Sequence, residues 1–200
     1  MRWPQSKFLE AANDGLDELS EATGFYERFV AIPLKGKQTY YNLMGFVPDD
    51  AFQLNSVFNV THQIWLSPAT IDDMQVQRWE TVPGSPQKYI VRGAFWVGIY
   101  PRPSSDVGVI QVYYSGLAPH LVDSYSVLPA DLPDDFVTAL DDYILYDLST
   151  KDGETDKALE HWNSYYARQE ALATYVEERI VKARSGRLGG WTPEPIGRPR

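Results

Sequence analysis

PDDFVTALDDYILYDLSTKDGETDKALEHWNSYYARQEALATYVEERIVKA, residues 133–183, is the stretch that decides the fold. Phe136, Val137, Leu140, Ile144 and Leu148 follow the three- and four-residue steps that put side chains on one face of an α-helix. Pro133, Asp134 and Asp135 supply proline and acid for a first turn, where free N–H groups and the helix dipole favour them. Ser149-Thr150-Lys151-Asp152-Gly153 interrupts the pattern. A longer stripe then runs from about Glu154 to Ala183, carried by Ala158, Trp162, Tyr165, Gln169, Leu172, Val176 and Ile180 and widened by Leu159, Tyr166 and Ala173. Two helices, 133–149 and 154–183, are predicted, and the short turn between them predicts antiparallel packing.

At the other end of the chain, Phe8, Leu9, Ala12, Leu16 and Leu19 predict an amphipathic helix over 6–23, with Ser6 as N-cap and Gly24 as C-cap. Gly15 sits awkwardly inside it. Between these helical regions the period changes from 3.6 to 2. Strands are predicted at 25–32, 39–43, 51–60, 89–92, 95–100 and 107–114. Lys35-Gly36-Lys37 reads as a turn that lets 39–43 pair back, and 89–92 with 95–100 reads as a hairpin. Ser67-Pro68 and the following ATIDDMQVQRW read as a short helix with Ser67 as N-cap, and 82–86 as a rigid loop. From Ser185 onward there are four glycines and three prolines in 16 residues, which predicts an extended tail. The predicted class is α+β: a helical bundle with a mainly antiparallel β insertion over 25–118. One domain is expected over 1–183, followed by a tail over 184–200.

The charge is unevenly spread. The net charge is −9, residues 182–200 contribute +4, and residues 1–181 therefore carry −13. An acidic body does not neutralise phosphates, so it argues against gripping nucleic acid. It suits a surface that DNA must pass without sticking. The basic tail reads either as a solvated segment or as one that docks on an acidic partner.

Little in the sequence points to chemistry. With 200 residues and no cysteine, thiol nucleophiles, thiolate metal sites and disulfides are excluded. His62, His120 and His161 are far apart, so no metal site is expected. Asp72-Asp73, Asp134-Asp135 and Asp141-Asp142 are paired carboxylates, but neighbours on a helix point about 100° apart. No phosphate-binding glycine loop or nucleophile elbow occurs. No cofactor is expected. No apolar run approaches the roughly 18 residues of a membrane span, and the N-terminus lacks the apolar core of a signal peptide. The abundant resource is aromatic: 6 Trp, 13 Tyr and 8 Phe, with Trp65, Trp79, Tyr89, Trp96, Tyr100, Tyr113 and Tyr114 crowding the β region. Such a cluster serves as core, as protein interface or as a sugar platform, and the first two are the commoner uses.

The order of motifs resembles a family of tailed-bacteriophage head–tail adaptor, or connector, proteins. Trp3 and Asn13 mark the first helix; Tyr40-Tyr41-Asn42-Leu43 precedes Pro48-Asp49. Trp79, Gly84, Pro86 and Tyr89 lead to Tyr100-Pro101-Arg102-Pro103 and then Val112-Tyr113-Tyr114. Leu128-Pro129 opens the helix of Ala139, Leu140 and Tyr143, and Ala158, Trp162, Tyr165 and Tyr166 mark the last helix. The resemblance covers residues 3–183. It implies a non-enzymatic virion protein, made in the host cytoplasm and placed at the head–tail junction. It implies a ring, usually of twelve subunits, below the portal protein and above a downstream neck or tail protein. DNA would pass through the channel without specific binding, and no membrane is involved. A carbohydrate-binding or tail-fibre-associated β domain is the alternative, with a dehydratase-like or hydrolase enzyme behind it.

The tail is expected to dock on the portal through Arg184, Arg187, Leu188, Trp191, Ile196, Arg198 and Arg200. Trp191, Leu188 and Ile196 are large apolar groups in a segment too short to bury them itself.

Overall fold

Gly15 is what lets the helical layer close. A Cβ on it would stand 2.8 Å from Leu140 Cδ1 and 2.8 Å from Tyr143 Cδ1, so a larger residue would push the first helix off the second. The structure, a computed structural model, describes residues 3–48, 50–74, 78–93, 95–123 and 125–184. Helix α1 spans Gln5–Thr23, α2 spans Val137–Lys151 and α3 spans Thr155–Arg184. The two C-terminal helices are antiparallel: Tyr146 meets Trp162, Tyr143 meets Tyr165 and Phe136 meets Tyr175, with ring centroids 4.8, 5.1 and 5.7 Å apart. As the number falls along one helix it rises along the other. Asp142 ties them further, accepting from Ser164 Oγ at 2.8 Å and Arg168 Nε at 2.8 Å. The aromatic seam dominates. A large buried apolar side chain contributes about 1.5–3 kcal/mol, whereas a partly exposed ion pair contributes about 1 kcal/mol at most.

Between α1 and α2 the described residues form ten strands: β1 (Glu27–Pro33), β2 (Tyr40–Asn42), β3 (Ala51–Asn59), β4 (Ile64–Trp65), β5 (Ser67–Pro68), β6 (Pro83–Gly84), β7 (Lys88–Arg92), β8 (Trp96–Tyr100), β9 (Arg102–Pro103) and β10 (Val109–Gly116). The first sheet has the order β1-β10-β3-β4 and is antiparallel throughout. The second has the order β2-β8-β7-β5, with only the short β5–β7 pairing parallel. A two-strand parallel pair, β6-β9, completes the set. Ile32, Val57, Ile110 and Val112 of the first sheet pack with Tyr41, Tyr89, Val97 and Ile99 of the second in one core. A separate helical core gathers Leu16, Leu19, Leu140, Tyr165 and Leu172 around Phe25, Ala118 and Leu132. The α+β class and the three predicted helices stand, and so does the hairpin of β7 and β8.

Four local expectations are corrected. Among the described residues the helix expected after Ser67 is absent: Ser67-Pro68 is a strand, followed by 3₁₀ turns at Asp72–Met74 and Trp79–Thr81, and residues 75–77 lie outside the described residues. The N–H groups of Ser67 and Ala69 are already given to the carbonyls of Gln87 and Tyr89, and Arg78 takes a left-handed φ of 60°. The strand at 39–43 does not pair back onto β1. β1 pairs with β10, and β2 crosses to β8 because the Tyr41 hydroxyl receives the Lys35 N–H at 3.0 Å and the ring enters the inter-sheet core. Ser6 is not the N-cap: α1 starts at Gln5 after Pro4, whose carbonyl takes the Lys7 N–H. The rigid loop at 82–86 contains β6, paired to β9. Gly24, by contrast, does cap α1, with φ 63° and its N–H on Ser20 O. This left-handed conformation favours glycine.

Overpacking a tight core contact costs about 1–3 kcal/mol. Gly15→Val is therefore expected to lower the unfolding free energy by that amount, seen as a lower urea midpoint with an unchanged slope, and an unmoved midpoint would show that α1 and α2 are not in close contact.

Candidate interaction surfaces

Segment 115–121 leaves β10 and crosses α1, and polar side chains of α1 fix it there. Ser20 Oγ, fully buried, donates to Leu16 O at 2.6 Å and accepts the Ala118 N–H at 3.1 Å. Asn13 closes two bonds on Leu121: its Nδ2 donates to the Leu121 carbonyl at 3.0 Å, and its Oδ1 accepts the Leu121 N–H at 2.7 Å. His120 Nε2 lies 2.9 Å from Asp17 Oδ2. Beyond this clamp the chain closes a small turn, in which Ser126 Oγ accepts the N–H groups of Val122 and Asp123 and Asp123 Oδ1 accepts that of Tyr125. Held in this way, Val122, Tyr125 and Val127 are 82%, 89% and 87% exposed. Large apolar side chains presented to water on an anchored loop mark an interaction surface.

Two further surfaces share this character. At one end of the second sheet the Leu43 N–H bonds Phe95 O at 2.6 Å, which brings exposed Met44 and Phe46 beside exposed Phe95 and Trp96. Between the outer face of the first sheet and the last turns of α3 lies a groove of about 440 Å³, walled by Phe29, Trp65, Tyr113, Tyr175, Val176 and Ile180. Its floor is an aromatic relay, with Phe29 5.4 Å from Tyr113 and Tyr113 5.2 Å from Trp65.

The groups that titrate unusually do structural work. Burial pushes the phenols of Tyr113 and Tyr143 up to about 12 and that of Tyr165 higher still, so they keep their protons. The carboxyls that shift move down and not up: Glu10 through its bond to the Lys7 ammonium, and Asp73 through the backbone N–H of Thr70. Four of the six paired carboxylates have local structural roles. Asp73 closes the turn at Thr70, Asp134 and Asp135 begin a 3₁₀ turn, and Asp142 staples α2 to α3. His161 Nδ1 stands 3.7 Å from that same Asp142. Among the described residues no group of three His, Asp or Glu side chains converges on a common point. None of their helices is long and apolar enough to cross a membrane.

The aromatic cluster read from the sequence is mostly core. Trp79, Tyr89, Tyr113 and Tyr114 are buried, with Trp79 wedged between Tyr40 and Tyr100 at 5.9 and 6.2 Å, and Trp96 is the exposed one of the seven. Of the expected tail residues, Arg184 is the last of α3. Arg187, Leu188, Trp191, Ile196, Arg198 and Arg200 lie outside the described residues. The surface loop of Val122, Tyr125 and Val127 was not anticipated. Its only sequence signal is three large apolar residues set without period among Ser, Asp and Pro.

Solvent-facing apolar side chains grouped on several elements offer surfaces for partners. The comparison with known families agrees: the sequence model of the SU10 adaptor protein family matches residues 1–190, and the chain belongs to that family of phage head–tail adaptors. The match begins at the first residue and reaches past the end of α3 into the tail. No curated protein matches the chain. The family consists of structural virion proteins that interact with other head and tail proteins.

A half-buried side chain that satisfies two backbone groups is worth more than an exposed side-chain contact. Asn13→Ala is expected to cost about 1–2 kcal/mol and to speed proteolysis in 121–127, whereas Asp17→Asn should cost less than about 1 kcal/mol. Equal effects in a thermal melt would contradict the clamp.

Proposed function

We propose that this chain is a subunit of the ring that joins the phage head to its tail. In this reading residues 1–183 act as one adaptor unit, twelve copies close a ring beneath the portal protein, and a downstream neck or tail protein attaches below. The ring extends the DNA channel, and the chain is not an enzyme. The observation that carries the reading is the family match over residues 1–190. The surface supports it. A ring subunit needs contacts with two neighbours, a portal above and a tail protein below, and apolar patches are exposed on three separate parts of the chain. The charge supports it too, since residues 1–181 carry −13. An acidic lumen lets phosphates slide, whereas a basic one holds them. The buried state of most of the aromatic cluster counts against a sugar platform.

The basic tail is assigned to the portal, with Arg187, Arg198 and Arg200 paired to carboxylates and Trp191 as the anchor. Mixing the purified chain with portal and measuring native mass tests both claims. A homogeneous ring on portal is expected. A chain cut after Ala183 should keep its fold and lose most of its attachment, and Trp191→Ala should weaken attachment by about 2 kcal/mol or more. Undiminished binding by the truncated chain would remove the tail from this role. Glycan binding by a monomer that ignores portal would favour the alternative β-domain reading.

A further inference from the structure

The groove beside α3 and the segment that follows α3 are matched in place and in apolar shape. Ile180 and Val176 line the groove, and α3 ends four residues after Ile180, about 6 Å further along its axis. Trp191 follows Arg184 by seven residues, a span of up to about 25 Å. Gly186, Gly189 and Gly190 in between allow the chain to reverse. The groove walls combine aromatic and apolar side chains with the charged Glu27, Arg28, Asp131 and Arg179, and Phe29 is exposed at 43%. Trp191-Thr192-Pro193-Glu194-Pro195-Ile196 is the kind of proline-stiffened segment that aromatic-lined grooves take. Asp131 at the rim is already paired with Arg28 at 2.7 Å, so the match with the segment is one of place and apolar shape.

We propose that in the unassembled protein residues 187–196 fold back into this groove of their own chain, with Trp191 against Phe29 and Tyr113. The segment is the one assigned above to the portal, and in that reading the groove holds it until a portal is present. Attachment through a seven-residue connection gives the segment a millimolar-order local concentration, so even a weak site is occupied. Covering the groove also removes an exposed apolar patch from a subunit waiting to assemble.

The chain has no cysteine, so an introduced pair reports alone. The full-length protein would carry Thr192→Cys together with Ala130→Cys, an exposed position lining the groove. The control pairs Thr192→Cys with Thr174→Cys, exposed on α3 but not lining it. Oxidation at low micromolar concentration without portal is followed by gel mobility and intact mass. An internal disulfide forming at least about tenfold faster in the Ala130 pair than in the control is expected. Adding Trp191→Ala should bring that rate down to the control's. Equal rates in the two pairs, a rate indifferent to Trp191→Ala, or disulfide-linked dimers as the main product would each overturn the proposal. None of these results bears on portal binding, which the truncated chain tests separately.

Discussion

The buried hydroxyl of Ser20 holds the two cores of this molecule against each other. It sits at the end of α1, whose Leu16 and Leu19 belong to the helical core, and it receives the N–H of Ala118, where the chain leaves the sheets. Such a hydroxyl is normally a poor choice inside a helix, because it competes for backbone partners. Here it satisfies a carbonyl of its own helix and an amide of another segment at once. Asn13 repeats the arrangement two turns earlier with Leu121. Ser115 adds a third tie, its hydroxyl donating to the Gly24 carbonyl and accepting from Asn55. Because β10 is flanked by β1 and β3, fixing its exit on α1 sets the position of the whole first sheet. The exposed loop of Val122, Tyr125 and Val127 hangs from the same clamp.

Helices were legible because their signal is local and periodic. Leu140, Leu148, Tyr165 and Leu172 are buried as their spacing requires, and the Gly24 cap needs only its own backbone. Gly15 looked like a flaw in α1 until its neighbours Leu140 and Tyr143, far along the chain, gave it a reason. The six longer strands were legible for the same reason as the helices, whereas the two-residue strands β4, β5, β6 and β9 were not. Strand partnership was not, since the crossing of β2 to β8 depends on where the Tyr41 ring fits between two sheets. The stretch after Ser67 misled because helix start signals were present, and a neighbouring strand had taken the amides that a helix needs. The interaction surfaces were the least legible. Exposure of Tyr125 or Met44 is a property of the folded surface, and the residue type alone says the opposite.

These features suit a part that functions by being placed between others. The polar groups with specific bonding are spent on internal joints, such as Asp142 between α2 and α3 and Asn13 at the loop clamp. The apolar groups left over are on loops, a sheet end and a groove, where a neighbour can cover them. Affinity in such an assembly comes from a few buried anchors and shape.

The most direct measurement is an image of the particle neck at a resolution that traces this chain. The account predicts a closed ring of this subunit between portal and tail, with the loop bearing Val122, Tyr125 and Val127 buried against protein and acidic side chains facing the channel. A chain found on a fibre or away from the channel axis would contradict it. So would a ring whose lumen is lined with lysine and arginine.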